Sequence, residues 1–216
     1  MTLKADLFFS FRSPYSYLAI GRYRAMVEEF DVDIALRTVL PIAVRDPDIL
    51  FTGNPAAPRY IIMDCMRAGQ FLGIPISWPR PDPIVQDFTT REIAKEQPYI
   101  FRICRLGQAA ERRGKGLLFA SEVAPLIWNG EVEGWHEGDH LEGAARRAGL
   151  DFAELEAEAV SDAEALDAEI AENQKALEAA GHWGVPTLVF DGEPFFGQDR
   201  VEMAQWRMEQ KGLTRR

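Results

Sequence analysis

Apolar residues recur along the chain with two different spacings, and these spacings predict its secondary structure. Leu3–Phe9 is a short apolar run typical of a buried strand, and it ends a few residues before Ser13 and Pro14. From there to about Phe30, apolar residues return every three or four positions, as on the buried face of a helix. Positions 31–40 then alternate polar with apolar residues, as half-buried strands do. The start of the chain therefore predicts a β-α-β unit.

The C-terminal part of the chain predicts two more strands and a helix. Positions 185–190 form an apolar run rich in β-branched residues, and the Asp-Gly pair at 191–192 is a hairpin-turn signal. Positions 194–196 continue as the second strand of that hairpin. A last helix is expected at about 200–211. The end of the chain is therefore a β-β-α unit.

A long helical block separates these two units. Positions 60–72 have a helical pattern, and 74–87 are a proline-interrupted, irregular connection. Positions 95–181 predict one helix after another, with a break at the Ser-Asp pair 161–162. The predicted order is β-α-β, a helical block, then β-β-α.

Composition and charge narrow the class of protein. The 216 residues are 47% hydrophobic and 27% charged, which is typical of a globular protein with a real core. The formal net charge of −10 gives no attractive field for phosphate backbones, so nucleic acid is not an expected partner. No segment approaches the roughly 20 apolar residues of a membrane-spanning helix, and the first residues lack the pattern of an export signal. We expect a cytoplasmic protein that binds no membrane.

The two cysteines give no sign of disulfide chemistry. Cys65 and Cys104 lie far apart in sequence, each among helix-forming residues, and neither belongs to a Cys-X-X-Cys pair. We expect both to be buried and to act as small apolar residues.

Four short motifs carry the candidate chemistry. They are Ser-Pro-Tyr-Ser-Tyr-Leu at 13–18, Gly-Asn-Pro at 53–55, Gly-Val-Pro-Thr at 184–187 and Phe-Gly-Gln-Asp-Arg at 196–200. A serine followed by proline is in itself only a helix-start signal, since serine caps a free N–H and proline suits the first helical position. In their order and their positions relative to the predicted strands, the four motifs resemble those of the 2-hydroxychromene-2-carboxylate isomerases and the related kappa-class glutathione transferases.

This resemblance covers nearly the whole chain and implies a fold. It implies an α/β, thioredoxin-like fold with a large helical insertion of the kind found in DsbA-like proteins. The thioredoxin-like domain would comprise residues 1–44 and 182–216, and the inserted helical domain residues 45–181. A homodimer is expected from the resemblance as well.

The first motif stands where a disulfide oxidoreductase has Cys-Pro-X-Cys. The resemblance implies that Ser13 is catalytic and donates a hydrogen bond to the sulfur of bound glutathione. A helix start favours a thiolate there, because free N–H groups and the positive end of the helix dipole lower a thiol pKa. Because position 13 offers no thiol, dithiol oxidoreduction is not expected. Ser16 is expected to be a first-turn serine without chemistry.

The resemblance also implies how glutathione is held. The peptide bond before Pro186 would be cis, leaving the backbone of Val185 to pair with glutathione as an added strand. The other binding residues would be Phe196, Gly197, Gln198 and Asp199. Backbone N–H groups there would hold a carboxylate, and Asp199 would pair with the α-amino group or simply cap the following helix.

Two further residues are candidates for contacts near the reacting sulfur. Asn54 would bind glutathione and the substrate, with a plain turn role before Pro55 as the alternative. Arg45 is a candidate cation for the substrate carboxylate. Related isomerases have a lysine in this stretch, and this chain departs from that pattern. The identity of the substrate is therefore left open.

The implied function is that of a glutathione-dependent isomerase. It would interconvert a cyclic hemiketal and an open-chain aromatic benzylidenepyruvate by addition and elimination of glutathione, so its partner would be a small aromatic carboxylate. A kappa-like glutathione transferase is the first alternative. A binding protein without catalysis or redox activity is the second.

One competing motif points to zinc and is set aside. His136 and His140 match the spacing of a His-Glu-X-X-His site, which needs a helix to bring both histidines to one face. Gly134 and Gly138 break that helix, so no metal site is expected. His182, near the Val185–Pro186 loop, is expected to be structural, with a place in the lining of the pocket as the alternative.

Overall fold

The structure is a computed structural model that describes residues 2–46, 56–87, 90 and 92–216. Its N-terminal part is the predicted β-α-β unit. Strand β1 (Leu3–Phe9) leads into helix α1 (Pro14–Glu29), and strand β2 (Val32–Thr38) returns parallel to β1. The helical crossover makes this parallel pairing possible.

The C-terminal part completes the sheet. Strand β3 (Thr187–Phe190) pairs antiparallel with β1, and β4 (Glu193–Phe196) pairs antiparallel with β3 across the predicted Asp-Gly turn. The strand order is β2-β1-β3-β4. A short 3₁₀ helix, Gln198–Arg200, continues directly into a final helix, Val201–Glu209.

Seven helices lie between β2 and β3 in the described part of the chain, and all but the first lie within the stretch where the sequence predicts a helical block. They are α2 (Ile42–Arg45), α3 (Ala56–Leu72), α4 (Pro98–Arg112), α5 (Gly116–Trp128), α6 (His140–Arg147), α7 (Phe152–Ser161) and α8 (Ala163–Ala179). The break predicted at 161–162 is confirmed, because Asp162 separates α7 from α8. The last helix, Val201–Glu209, is therefore α9.

A large apolar cluster joins the sheet to the helical block. It contains Leu7 and Leu36 of the strands together with Ile103, Trp128 and Leu155 of the inserted helices. The indole N–H of Trp128 donates to the carbonyl of Phe11 at 2.9 Å, immediately after β1. The helices thus share a core with the sheet that they cover.

None of the described helices combines the length and the apolar character needed to cross a membrane.

Candidate functional site

Ser13 sits at the N-terminus of α1. Its backbone is extended, with φ −92° and ψ 119°, and its Oγ accepts a hydrogen bond from the N–H of Ser16 at 3.2 Å. Pro14 occupies the first helical position, where its missing N–H costs nothing. Ser16 is fully buried, whereas Ser13 is half-buried. The predicted cap is therefore present, and its hydroxyl lies near the surface.

The loop before β3 packs against this serine. The peptide bond between Val185 and Pro186 is cis, as the resemblance implied. Ser13 Oγ lies 3.3 Å from the carbonyl oxygen of Val185 and donates to it. The N–H of Val185 has no hydrogen-bond partner among the described residues. The backbone next to the serine hydroxyl therefore offers one free donor to a ligand.

The same loop is bonded to the turn after β4. The N–H of Gly197 donates to the carbonyl of Pro186 at 2.9 Å. Gly197 has a φ of 106°, in a region that residues with a side chain rarely adopt. The motifs at 13–18, 184–187 and 196–200 therefore meet at one edge of the sheet, although the last two are more than 160 residues from the first.

An aromatic stack supports the loop. The imidazole of His182 stacks on the rings of Phe196, at 3.9 Å between centroids, and of Trp183, at 4.5 Å. Its Nδ1 accepts from the N–H of Gly184 at 2.9 Å. A Cβ on Gly184 would lie 2.6 Å from the Phe196 ring, so only glycine allows this approach. Partial burial lowers the pKa of His182. The neutral ring thus acts as a structural support, as the sequence predicted.

The turn at 197–200 presents backbone donors beside the cleft. The N–H groups of Gln198 and Asp199 open a helical segment and have no partner in the described part of the chain. The carboxylate of Asp199 is exposed and pairs with Arg200 at 2.6 Å. It makes no capping bond to the 3₁₀ helix or to α9, so the alternative expectation that Asp199 is a helix cap is wrong.

A cleft of about 600 Å³ runs from the start of α1 to this turn. One wall is α3 and the other is the end of β4 with the turn. Its lining residues are Tyr15, Tyr60, Asp64, Arg67, Ala68, Phe71, Phe196, Gly197, Gln198 and Asp199. Four of these lining residues, those at 196–199, were predicted to bind glutathione.

The α3 wall carries polar groups that the sequence analysis missed. The hydroxyl of Tyr15 donates to Asp64 at 2.8 Å, and Arg67 donates to the other oxygen of that carboxylate at 3.0 Å. Burial, followed by the hydrogen bond to Asp64, raises the pKa of Tyr15, and the same bond lowers the pKa of Asp64. The spacing of Tyr60, Asp64, Arg67 and Phe71 along one helical face was the available signal.

Arg45 is not among the residues that line this cleft. The guanidinium of Arg45 donates to the carbonyl of Trp183, beside the proline loop, and burial lowers the pKa of Arg45. Asn54 lies outside the described residues. Their contacts with a substrate stay a prediction.

The remaining sequence signals are structural. Cys65 and Cys104 are both free and fully buried, and burial raises the pKa of each thiol. The segment from His136 to Gly138 forms turns, and α6 begins only at His140, so the helix that a zinc motif needs is missing, as the glycines predict. No group of three metal-binding side chains occurs among the described residues.

Comparisons with known proteins agree with this architecture. Residues 4–209 match the family model of the DSBA-like thioredoxin domain. A search of curated protein sequences found no match. A solved structure of 2-hydroxychromene-2-carboxylate isomerase is 21% identical, with a TM-score of 0.69, over 96% of this chain and 95% of that one.

Two bacterial proteins have similar folds. A probable DsbA oxidoreductase from Streptomyces coelicolor is 16% identical, with a TM-score of 0.63, over 96% of this chain and 89% of that one. The cytosolic disulfide reductase DsbM from Pseudomonas aeruginosa is 17% identical, with a TM-score of 0.60, over 96% and 100%. A second structure of DsbM from Pseudomonas aeruginosa, solved with GSH, is 16% identical, with a TM-score of 0.58, over 96% of this chain and 100% of that one. The predicted thioredoxin-like fold with a helical insertion is thereby confirmed.

Proposed function

Because the chain belongs to the DSBA-like thioredoxin domain family, we propose that it is a glutathione-dependent isomerase of the 2-hydroxychromene-2-carboxylate type. It would interconvert a cyclic hemiketal with an open-chain aromatic benzylidenepyruvate. The observation that carries the proposal is the position of Ser13. Its hydroxyl caps α1 and lies 3.3 Å from the carbonyl of Val185. A hydroxyl thus stands where the fold's redox members need a thiol.

The donors and acceptors around the cleft suit glutathione. This tripeptide carries two carboxylates, one ammonium group and an extended backbone. The N–H of Val185 is available for backbone pairing, and the N–H groups of Gln198 and Asp199 are available for a carboxylate. The exposed carboxylate of Asp199 suits the ammonium group. A cleft of about 600 Å³ has room for such a ligand.

Ser13 is proposed to stabilise negative charge on the ligand's sulfur. When bound, glutathione supplies a thiolate that adds to a conjugated double bond and leaves after the resulting single bond has rotated. The hydroxyl of Ser13 can turn from the long bond to Val185 and donate to that sulfur. The N-terminus of α1 adds the favourable end of its dipole. Both effects come from groups already in place before the ligand binds.

Two further observations support this reading over disulfide exchange. Neither of the chain's two cysteines is accessible, and burial raises the pKa of both thiols, so neither is an effective nucleophile. Among the similar structures, one is an isomerase of the proposed type.

One observation favours a glutathione transferase as the second candidate. The isomerase substrate carries a carboxylate, for which Arg45 was the expected cation. Its guanidinium instead donates to the carbonyl of Trp183 and does not line the cleft. A transferase acting on an uncharged electrophile needs no such cation.

The test is a rate measurement with 2-hydroxychromene-2-carboxylate. Its ultraviolet spectrum should change only when glutathione is present, and Ser13→Ala should lower kcat by about 10²-fold, as loss of one donor to a developing charge does. Ser161→Ala, at the exposed end of α7, is the matched control and should leave the rate unchanged. A rate independent of glutathione and of Ser13 would overturn the proposal. Accumulation of a stable glutathione adduct would favour the transferase.

A further inference from the structure

Arg22 of α1 bonds directly to the turn that follows β4. Its Nη2 donates both to the backbone carbonyl of Gln198 and to the side-chain Oε1 of the same residue, the latter at 2.9 Å. Its Nη1 pairs with Glu202 of α9 at 2.9 Å. The side chain is only 22% exposed. One guanidinium therefore ties the first helix to both the turn and the last helix.

This bonding fixes the direction of a donor at the cleft. The peptide between Gln198 and Asp199 is trans and planar, so the carbonyl of Gln198 and the N–H of Asp199 point in opposite directions. Because the carbonyl faces Arg22, the N–H of Asp199 faces away from α1. That N–H has no partner among the described residues, and Asp199 lines the cleft.

Backbone bonds also act on this part of the turn. The N–H of Gly197 donates to the carbonyl of Pro186 at 2.9 Å and that of Arg200 to the carbonyl of Gly197 at 3.3 Å, and the 198–199 peptide is the first of the 3₁₀ helix Gln198–Arg200. Among the described side chains, Arg22 is the one that bonds to Gln198. Without Arg22, the 198–199 peptide keeps only the bonding of a three-residue 3₁₀ helix, whose hydrogen-bond geometry is poorer than that of an α-helix, and the direction of the Asp199 N–H is less firmly held.

We propose that Arg22 is a positioning residue for the ligand-binding turn at 197–199. By holding both oxygens of Gln198, it orients the N–H of Asp199 toward a carboxylate of the ligand. Asp199 has a free N–H for a carboxylate and an exposed carboxylate for an ammonium group, and the γ-glutamyl end of glutathione carries both partners. This inference rests on the proposed function. Arg22 acts through the turn and does not touch the ligand.

The test compares two thiols that differ only in the γ-glutamyl group. Titration calorimetry measures the Kd of glutathione and of cysteinylglycine for the wild type, Arg22→Gln and Arg22→Lys. Arg22→Gln should bind glutathione about tenfold more weakly, as expected for the loss of one charge-assisted contact. Its affinity for cysteinylglycine should not change, so the preference for glutathione falls. Arg22→Lys should recover part of that preference, because its ammonium group still reaches an oxygen of Gln198.

Arg24→Gln is the matched control. Arg24 lies on the same helix and pairs with Glu28 and Glu122, away from the cleft, so both affinities should stay at wild-type values. In steady-state assays, Arg22→Gln should raise the KM for glutathione and leave kcat nearly unchanged. A general loss of structure would weaken both ligands and lower the melting temperature.

The outcomes separate this inference from the proposed function. If the wild type does not bind glutathione, the proposed function fails and the inference fails with it. If the wild type binds glutathione and Arg22→Gln weakens both thiols equally, or neither, only the inference is overturned. Should Arg22→Gln fail to fold, Arg22→Lys decides, and a wild-type preference in that variant overturns the inference.

Discussion

Arg12 shows how one side chain beside the candidate site organises a distant segment. Its guanidinium makes two parallel bonds to Asp82, from Nε at 2.9 Å and from Nη2 at 2.8 Å, and it lies 4.6 Å above the ring of Trp78. The side chains of Arg12 and Asp82 are only 15% and 9% exposed. Asp82 also accepts from the N–H of Ile84 at 3.0 Å. The irregular connection at 74–87 is thereby fastened next to Ser13.

Removing one member of this pair should be costly. Asp82→Ala leaves the Arg12 guanidinium buried without its partner, and we expect the free energy of unfolding to fall by about 3–5 kcal/mol. Urea denaturation measures the change. Glu133→Ala breaks an ion pair with Arg80 whose two side chains are more than three-quarters exposed, and it should cost less than about 1 kcal/mol. Similar losses in the two variants would contradict the role given to Asp82.

Contacts of this kind were beyond the sequence analysis. The Ser13 cap was predictable because its signal is local: a serine, a proline and the apolar spacing that follows. Arg12 and Asp82 are 70 residues apart, and Arg22 and Gln198 are 176 apart. Nothing in the spacing of apolar residues indicates which arginine meets which partner, because the choice is made by tertiary packing.

At the scale of elements, the loop before β3 depends on its stack with β4. The ring of His182 lies between those of Trp183 and Phe196, and it also receives the N–H of Gly184. The sequence placed the start of this strand at 185, whereas β3 begins at Thr187. Residues 184–186 form the bend that faces Ser13. Their backbone therefore does not belong to the strand.

Loss of the stack should weaken glutathione binding. His182→Ala removes both the ring contact and the acceptor for Gly184, and we expect a Kd for glutathione about tenfold higher. His182→Phe keeps a ring but not the acceptor, so its Kd should lie between those of the wild type and the alanine variant. Calorimetry at fixed pH checks the order. An alanine variant that binds as tightly as the wild type would show that the loop holds its shape without the stack.

Across the whole molecule, the helical block is joined to the sheet by a buried carboxyl group as well as by apolar contacts. Glu111, near the end of α4, accepts from the N–H of Leu36 on the edge strand β2 at 3.1 Å. Burial raises the pKa of Glu111 to about 7 from its ordinary value of 4.5. This contact could not be predicted from the sequence, because a glutamate at the end of an amphipathic helix is normally exposed to solvent.

Because of this carboxyl group, the free energy of unfolding should fall as the pH rises. Between pH 4.5 and about 7, the folded protein binds more protons at Glu111 than the unfolded chain does. The contribution of Glu111 to the free energy of unfolding therefore falls as pH rises through this window. Glu111→Gln keeps an oxygen for the N–H of Leu36 and cannot ionise. Relative to this variant, the wild type should lose roughly 1–3 kcal/mol between pH 5 and pH 8.

Urea denaturation at several pH values tests this difference, with Glu164→Gln on the exposed side of α8 as the matched control. Both variants remove one carboxylate, so a general effect of net charge would appear in both pH profiles. If the carboxyl group buried between α4 and β2 is the cause, only Glu111→Gln should differ from the wild type in its pH profile. The ionisation of Glu111 should no longer contribute to that difference at pH 5, where the wild-type group is protonated in the folded state. A stability difference between the wild type and Glu111→Gln that stays constant from pH 5 to pH 8 would mean that Glu111 does not titrate in this range. The contact between Glu111 of the helical block and Leu36 of the sheet would then be insensitive to pH.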